Sequence, residues 1–149
     1  MLKTISRAPV LIAFLTAAPF AVHGKDLSSG ALGAWLKQYE AAWETRDAAA
    51  AGRLFTEGDT YRDSAYKPVM QGRAAIEKYW STETADQRDV RFESQVIAVD
   101  GNTGVAHWTA TFKLASSGAT VDLDGVFVLE FDESGRCKAL REWWFVKSS

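Results

Sequence analysis

The most constraining feature of this sequence is the alternation of apolar and polar residues in its second half. Every second residue is apolar across residues 106–114 and 121–131, and residues 140–144 follow the same spacing with one acidic exception. Successive side chains of a strand point to opposite faces, so this spacing predicts strands with one buried face. Turn clusters divide the chain after Asp86 into four such strands, at residues 100–104, 116–118 and 132–135. Short turns predict antiparallel pairing.

Apolar residues at helical spacing precede the sheet. One helix is predicted from residue 32 to 43, a second, shorter helix is capped by Asp47 and ends at Gly58, and a third begins at Gly72. The inward faces of the three helices hold Leu32, Trp35, Leu36, Tyr39, Ala42 and Trp43, then Ala51, Leu54 and Phe55, then Ile76, Tyr79 and Trp80. A strand over residues 59–63 separates the second helix from the third. The order α-α-β-α-β-β-β-β predicts an α+β fold, in which a strongly curved antiparallel sheet wraps around the helices as a cone. The mouth of such a cone can hold a small molecule.

The first residues are typical of a secretory signal. Two basic residues precede the apolar run 8–20, which predicts a cleavable signal over residues 1–24 and a mature domain over residues 25–149, without a membrane anchor. A periplasmic or secreted location is therefore expected. Because Cys137 is the only cysteine, an internal disulfide is excluded, which fits a bacterial periplasm.

Charge and composition exclude several classes of function. Removing residues 1–24 takes away two basic and no acidic residues, which changes the net charge from −2 to −4, and no basic cluster remains for nucleic acid. A mature chain with one histidine offers no set of metal ligands, and no cofactor is required.

Two carboxylates are the candidates for chemistry. Alternation puts Glu142 on the apolar face, where burial raises the pKa of a carboxyl toward the range useful for proton transfer. Asp63 ends the first strand, two residues after Tyr61 on the same face, and can divide acid and base roles with Glu142. The alternative is a structural role, with the carboxylates bonded to Arg62, Arg73 or a tryptophan N–H.

The order of elements, combined with several short motifs, resembles the nuclear transport factor 2-like superfamily, in particular SnoaL-like domains with their ketosteroid isomerase and polyketide cyclase relatives. The residues that carry the resemblance are Trp43, Asp47, Leu54, Phe55, Tyr61-Arg62-Asp63, Gly72-Arg73, Ile76 and the run 131–136. The resemblance covers essentially all of the mature chain and implies the cone-shaped, cystatin-like fold.

The resemblance also suggests roles for single residues. Tyr39 aligns with the oxyanion-binding tyrosine of ketosteroid isomerase, and Asp63 aligns with its proton-shuttling aspartate. Phe127 stands where that enzyme keeps a hydrogen-bonding aspartate, so steroid isomerisation by that route is not expected. Scytalone dehydratase, another relative, uses two histidines, and here His107 alone remains, on a polar strand face.

Two hypotheses for function follow. The first is a protein that binds a small apolar, ring-containing molecule and acts on it by proton transfer, dehydration or cyclisation, with Asp63, Glu142 and Tyr39. Aromatic side chains are expected to line its cavity, namely Trp43, Tyr61, Trp80, Trp108, Phe127 and Trp144. The second is a non-catalytic ligand-binding or interaction module with structural carboxylates.

Three other segments carry expectations. An apolar outer sheet face with Val126, Val128, Trp143 and Phe145 predicts a homodimer. The run 82–88 has no apolar period and is expected to be a solvated connection without chemistry. Gly125, inside an apolar strand, indicates a bulge or room for a ligand.

Overall fold

The computed structural model describes residues 26–147, so the predicted signal over residues 1–24 lies outside the described residues. The elements are α1 (Ser29–Thr45), α2 (Ala48–Arg53), β1 (Phe55–Arg62), β2 (Met70–Gln71), α3 (Arg73–Glu83), β3 (Gln87–Asp100), β4 (Thr103–Leu114), β5 (Thr120–Phe131) and β6 (Cys137–Val146). The predicted α+β class and element order are confirmed, with the two-residue strand β2 as an addition.

Side-chain caps fix where the first two helices begin. Ser28 caps α1 by accepting a hydrogen bond from the backbone N–H of Ala31 at 3.1 Å, and Asp47 caps α2 through the N–H of Ala50 at 2.8 Å. The cap at Asp47 was predicted. Helix α1 turns its apolar face inward and buries Leu32, Trp35, Leu36, Tyr39 and Ala42.

The prediction that the second helix continues to Gly58 is wrong. Helix α2 ends at Arg53, and β1 begins at Phe55 and runs through Gly58. Phe55 is fully buried and pairs with Cys137 of β6, so burial against the sheet outweighs the helical spacing of residues 51–55.

One six-stranded sheet has the order β2-β1-β6-β5-β4-β3. All neighbouring strands pair antiparallel except β1 and β6, which are parallel. The predicted hairpins are confirmed. The parallel pairing of β1 with β6 was not predicted, because the two strands are far apart in the chain and no short turn connects them. Strand β6 is the last strand in chain order, yet it lies in the interior of the sheet between β1 and β5.

The predicted alternation holds on the concave side of the sheet. Ala106, Trp108 and Ala110 of β4 and Phe127 and Leu129 of β5 are buried. No helix within residues 26–147 is long and apolar enough to cross a membrane.

Gly125 of β5 pairs regularly with Trp108 of β4, so the strand carries no bulge there. A Cβ atom at this position would lie 2.5 Å from a carbon of the Trp108 ring. The glycine therefore makes room for the Trp108 indole, which packs against the β5 backbone.

Candidate functional site

A cavity of about 210 Å³ lies between the helices and the concave face of the sheet. Eight of the nine predicted site residues line it: Tyr39, Trp43, Tyr61, Asp63, Trp80, Trp108, Glu142 and Trp144. The ninth, Phe127, does not line the cavity. It is fully buried behind the cavity wall, with its ring centroid 5.2 Å from those of Tyr39 and Trp108.

Glu142 ends a hydrogen-bonded chain of buried hydroxyl groups. The Tyr61 hydroxyl donates to Glu142 Oε1 at 3.0 Å, and the hydroxyl oxygens of Tyr39 and Tyr61 are 3.0 Å apart. Because Tyr61 has a single O–H, Tyr39 is the donor in the second bond. The chain links α1, which carries Tyr39, to β1, which carries Tyr61, and to β6, which carries Glu142. The parallel pairing of β1 with β6 places Tyr61 opposite Leu140, two residues before Glu142.

Burial governs the protonation of this chain. Glu142 is 5% exposed, and loss of solvation raises the pKa of its carboxyl well above the usual value. Repulsion from Asp63 adds to the increase, and the hydrogen bond from Tyr61 opposes it. Burial also raises the pKa of both tyrosines, so their hydroxyl groups stay protonated. Burial therefore favours the protonated form of Glu142, which can give up a proton.

Asp63, directly after β1, has different surroundings. Its Oδ2 accepts from Lys67 Nζ at 2.6 Å, and its Oδ1 accepts from the Tyr79 hydroxyl at 2.6 Å. The indole N–H of Trp144 donates to the Asp63 backbone oxygen at 2.8 Å. The ammonium and hydroxyl donors compensate a negative charge on this carboxylate. The apolar site of Glu142 provides no such compensation for its carboxyl group. Two carboxyl groups in unlike surroundings suit the roles of acid and base.

The partners of these carboxylates were not found from the sequence. Lys67 lies on the loop after β1, and Tyr79 was predicted only as an inward residue of the third helix. The suggested arginine partner is wrong for Arg73, which pairs with Glu57 at 2.7 Å and donates to the Phe55 carbonyl. The suggested tryptophan donor is Trp144, whose indole N–H also reaches Asp63 Oδ1 at 3.4 Å.

The expectation of a solvated connection over residues 82–88 is wrong only in part, because four of these residues are exposed whereas Thr84 and Gln87 are buried. Helix α3 continues to Glu83, and Glu83, Thr84 and Gln87 line the cavity. Gln87 is 8% exposed, and its Oε1 accepts from the Trp43 indole at 2.7 Å. Polar residues that face a cavity carry no apolar period, so the sequence offered no signal for them.

Other candidates for chemistry lie outside the cavity. His107 bonds Asp124 at 3.1 Å on the outer side of the sheet, as its polar strand face predicted. Within residues 26–147 no three histidine, cysteine or acidic side chains are grouped closely enough to hold a metal ion.

The sequence pattern of one protein family, described as SnoaL-like domain, matches residues 36–140. A search of curated proteins gives no significant match.

Solved structures share the fold. The epoxide hydrolase/cyclase-like enzyme SalBIII, described in pyran ring formation in the polyether salinomycin, is 24% identical with a TM-score of 0.66, over 76% of this chain and 89% of that one. A putative isomerase from Bacillus subtilis is 20% identical with a TM-score of 0.69, over 78% and 87%. A protein from Catenulispora acidiphila with a ketosteroid isomerase-like fold, in complex with trimethylamine, is 17% identical with a TM-score of 0.65, over 73% and 83%. At these identities the likeness concerns the fold.

Proposed function

Because this chain belongs to the SnoaL-like domain family of the nuclear transport factor 2-like superfamily, we propose that it binds a small apolar, ring-containing ligand in its cavity and moves protons on it without a cofactor. Isomerisation, dehydration and cyclisation are the reaction classes concerned, and the similar structures include a cyclase-like enzyme and a putative isomerase. The observation that carries the proposal is that a buried Glu142 without a charged partner and an Asp63 bonded to Lys67 and Tyr79 line the same cavity.

The roles of the residues follow from their hydrogen bonds. Glu142 gives its proton to a ligand oxygen or nitrogen, and Tyr61, which already donates to Glu142, stabilises the carboxylate that remains. Tyr39 supports this charge by donating to Tyr61. Asp63 takes a proton from a ligand carbon, and because Lys67 is half exposed, its ammonium can swing toward solvent as the Asp63 charge is lost.

The test is the exchange of the α-protons of 1-tetralone with D2O, followed by NMR. We expect the wild-type protein to accelerate exchange, Asp63→Asn to abolish the acceleration and Glu142→Gln to reduce it by about 10² to 10⁴-fold. Glu130→Gln, on the outer sheet face, is the matched control and keeps the wild-type rate. Equal rates in all four proteins would contradict the catalytic role.

A non-catalytic binding module is the second candidate, because both oxygens of Asp63 already accept short hydrogen bonds. In that case Asp63→Asn lowers stability, since Lys67 and Tyr79 lose their acceptor, and exchange of 1-tetralone stays at the buffer rate in every variant. Urea denaturation of the same variants separates a loss of fold from a loss of rate.

We propose that the protein binds its ligand outside the cytoplasm, because residues 1–24 have the composition of a cleavable secretory signal. N-terminal sequencing of the protein from the periplasmic fraction should begin at Lys25. Native mass spectrometry of the same material should show a co-purifying small molecule. Recovery of the chain from the cytoplasm with residues 1–24 attached would contradict the location.

We also propose a homodimer through the outer sheet face. Phe145 is 76% exposed and Trp143 is 43% exposed on neighbouring positions of β6, with Val126 and Val128 half-buried on β5. Sedimentation equilibrium should give twice the chain mass for the wild type and the monomer mass for Phe145→Glu. A wild-type protein that stays monomeric at high micromolar concentration would refute the dimer.

A further inference from the structure

Acidic side chains outnumber basic ones on the cavity wall. Three carboxyl side chains line the cavity, those of Asp63, Glu83 and Glu142, against the single basic side chain of Lys67. The Lys67 ammonium is already bonded to Asp63 at 2.6 Å. No basic side chain of residues 26–147 forms an ion pair with Glu142. A 95% buried carboxyl group thus faces the cavity without a counter-ion.

Hydrogen bonds leave one oxygen of this carboxyl group without a partner. Tyr61 donates to Oε1, and Oε2 accepts no hydrogen bond from the described residues. A buried carboxylate with one neutral donor is costly, which favours the protonated form of Glu142 while the cavity holds no cation. A positive charge inside the cavity would supply the missing partner.

The aromatic wall favours a cation as well. The ring centroids of Trp43 and Trp108 are 5.7 Å apart, and those of Trp43 and Trp80 are 6.2 Å apart. Tyr39 joins the group at 5.0 Å from Trp80. Trp43, Trp80 and Trp108 line the cavity, and among aromatic side chains indoles attract cations most strongly. An anionic ligand would instead be repelled by the carboxylates of Asp63 and Glu83.

We propose that the ligand of this cavity carries a tertiary or quaternary ammonium group on its apolar frame, paired with Glu142 and packed against the indole rings. The inference rests on the proposed function, because it names the charge of the ligand in the same cavity. For such a ligand, Glu142 pairs with the ligand nitrogen, and Asp63 remains the base at a ligand carbon. A neutral, purely apolar molecule would leave the carboxyl group at the wall without a role.

Proton balance links this binding to pH. A neutral tertiary amine takes the Glu142 proton, so an O–H bond breaks, an N–H bond forms and an ammonium–carboxylate pair remains. When the ligand arrives already charged, the Glu142 proton passes to solvent. The groups around Glu142 are Tyr39 and Tyr61, which stay protonated, Asp63, which opposes its ionisation, and Lys67, which favours it. Binding of a permanent cation therefore strengthens as pH rises.

The test compares two probes of nearly the same shape, phenyltrimethylammonium and tert-butylbenzene, by quenching of tryptophan fluorescence. At pH 8 we expect the cation to bind the wild-type protein about tenfold more tightly than the hydrocarbon. Glu142→Gln keeps the size and neutrality of the protonated side chain, so it should fold. This variant should lose the tenfold preference, so that the two probes bind it with equal affinity. Glu130→Gln, on the outer face, should keep the preference.

Calorimetry adds a measurement that does not change when only the packing of the ligand changes. Titration of phenyltrimethylammonium in two buffers of different ionisation enthalpy should show proton release from the wild-type protein and none from Glu142→Gln. Equal affinities of the two probes, without proton release, would overturn the ammonium ligand and leave the cavity as an apolar binding site. Failure of both probes to bind would overturn the proposed function together with this inference.

Discussion

Asp59 predicts a dependence of stability on pH that can be worked out from the structure. Its side chain is fully buried in β1, and neither carboxyl oxygen has a hydrogen-bond partner among the described residues. Burial raises the pKa of this carboxyl from 3.8 to about 6, against the opposing effect of the Arg73 charge. Asp59 is therefore protonated in the folded protein at pH 5, whereas it is mostly ionised in the unfolded chain.

The sign and the magnitude follow from linkage. Between pH 4 and 6 the folded state binds more protons than the unfolded state, so the free energy of unfolding falls as pH rises. The stabilisation is fully present below pH 3.8 and is lost as pH passes about 6. A pKa difference of this size corresponds to about 3 kcal/mol. The side chain in Asp59→Asn is neutral at every pH, so this variant does not lose the stabilisation as pH rises.

The assay is urea denaturation followed by tryptophan fluorescence between pH 4 and 8. The free energy of unfolding of Asp59→Asn, minus that of the wild type, should increase by about 2 kcal/mol over this range, because the unfolded carboxyl is already partly ionised at pH 4. Glu142, whose pKa is also raised, contributes equally to both proteins and cancels in the difference. Asp89→Asn, at an exposed side chain, is the control and should give a flat difference. A flat difference for Asp59→Asn would refute the reasoning.

Three further predictions concern the cavity wall and the core. Gly125→Ala places a methyl group 2.5 Å from the Trp108 ring and should cost about 1–3 kcal/mol in urea denaturation, and an unchanged midpoint would contradict the close packing. Tyr61→Phe removes the hydrogen bond that lowers the pKa of Glu142, so the pH at which phenyltrimethylammonium binding is half-maximal should move upward, and an unmoved midpoint would contradict the hydroxyl chain. Cys137 is fully buried, and burial raises the pKa of its thiol, so a thiol reagent should label it only as the protein unfolds, and rapid labelling of the folded protein would contradict its placement.

Much of the fold could be predicted because alternation reports which face of a strand each side chain occupies. It put Glu142 on the concave side from the sequence alone, and the structure places it there. Alternation says nothing about which strand lies beside another. The parallel contact of β1 with β6, which brings Tyr61 to Glu142, therefore could not be predicted.

The site was less predictable than the fold, since its polar partners come from segments without periodicity. Lys67 reaches Asp63 from a loop, and Gln87 reaches Trp43 from the start of a strand read as a connection. Phe127 shows the opposite error, because alternation distinguishes inside from outside but not a cavity wall from the packing behind it.

The interior position of β6 has a consequence for biosynthesis. A nascent chain that stops before Cys137 has three helices and five strands, but the sheet has a gap where Glu142 and Trp144 belong. Trp144 bonds the backbone of Asp63, a residue 81 positions earlier, and pairings of such long range slow folding. The ribosome must therefore release strand β6 before any molecule can be bound, and a truncation that removes this strand destroys the binding site together with the sheet.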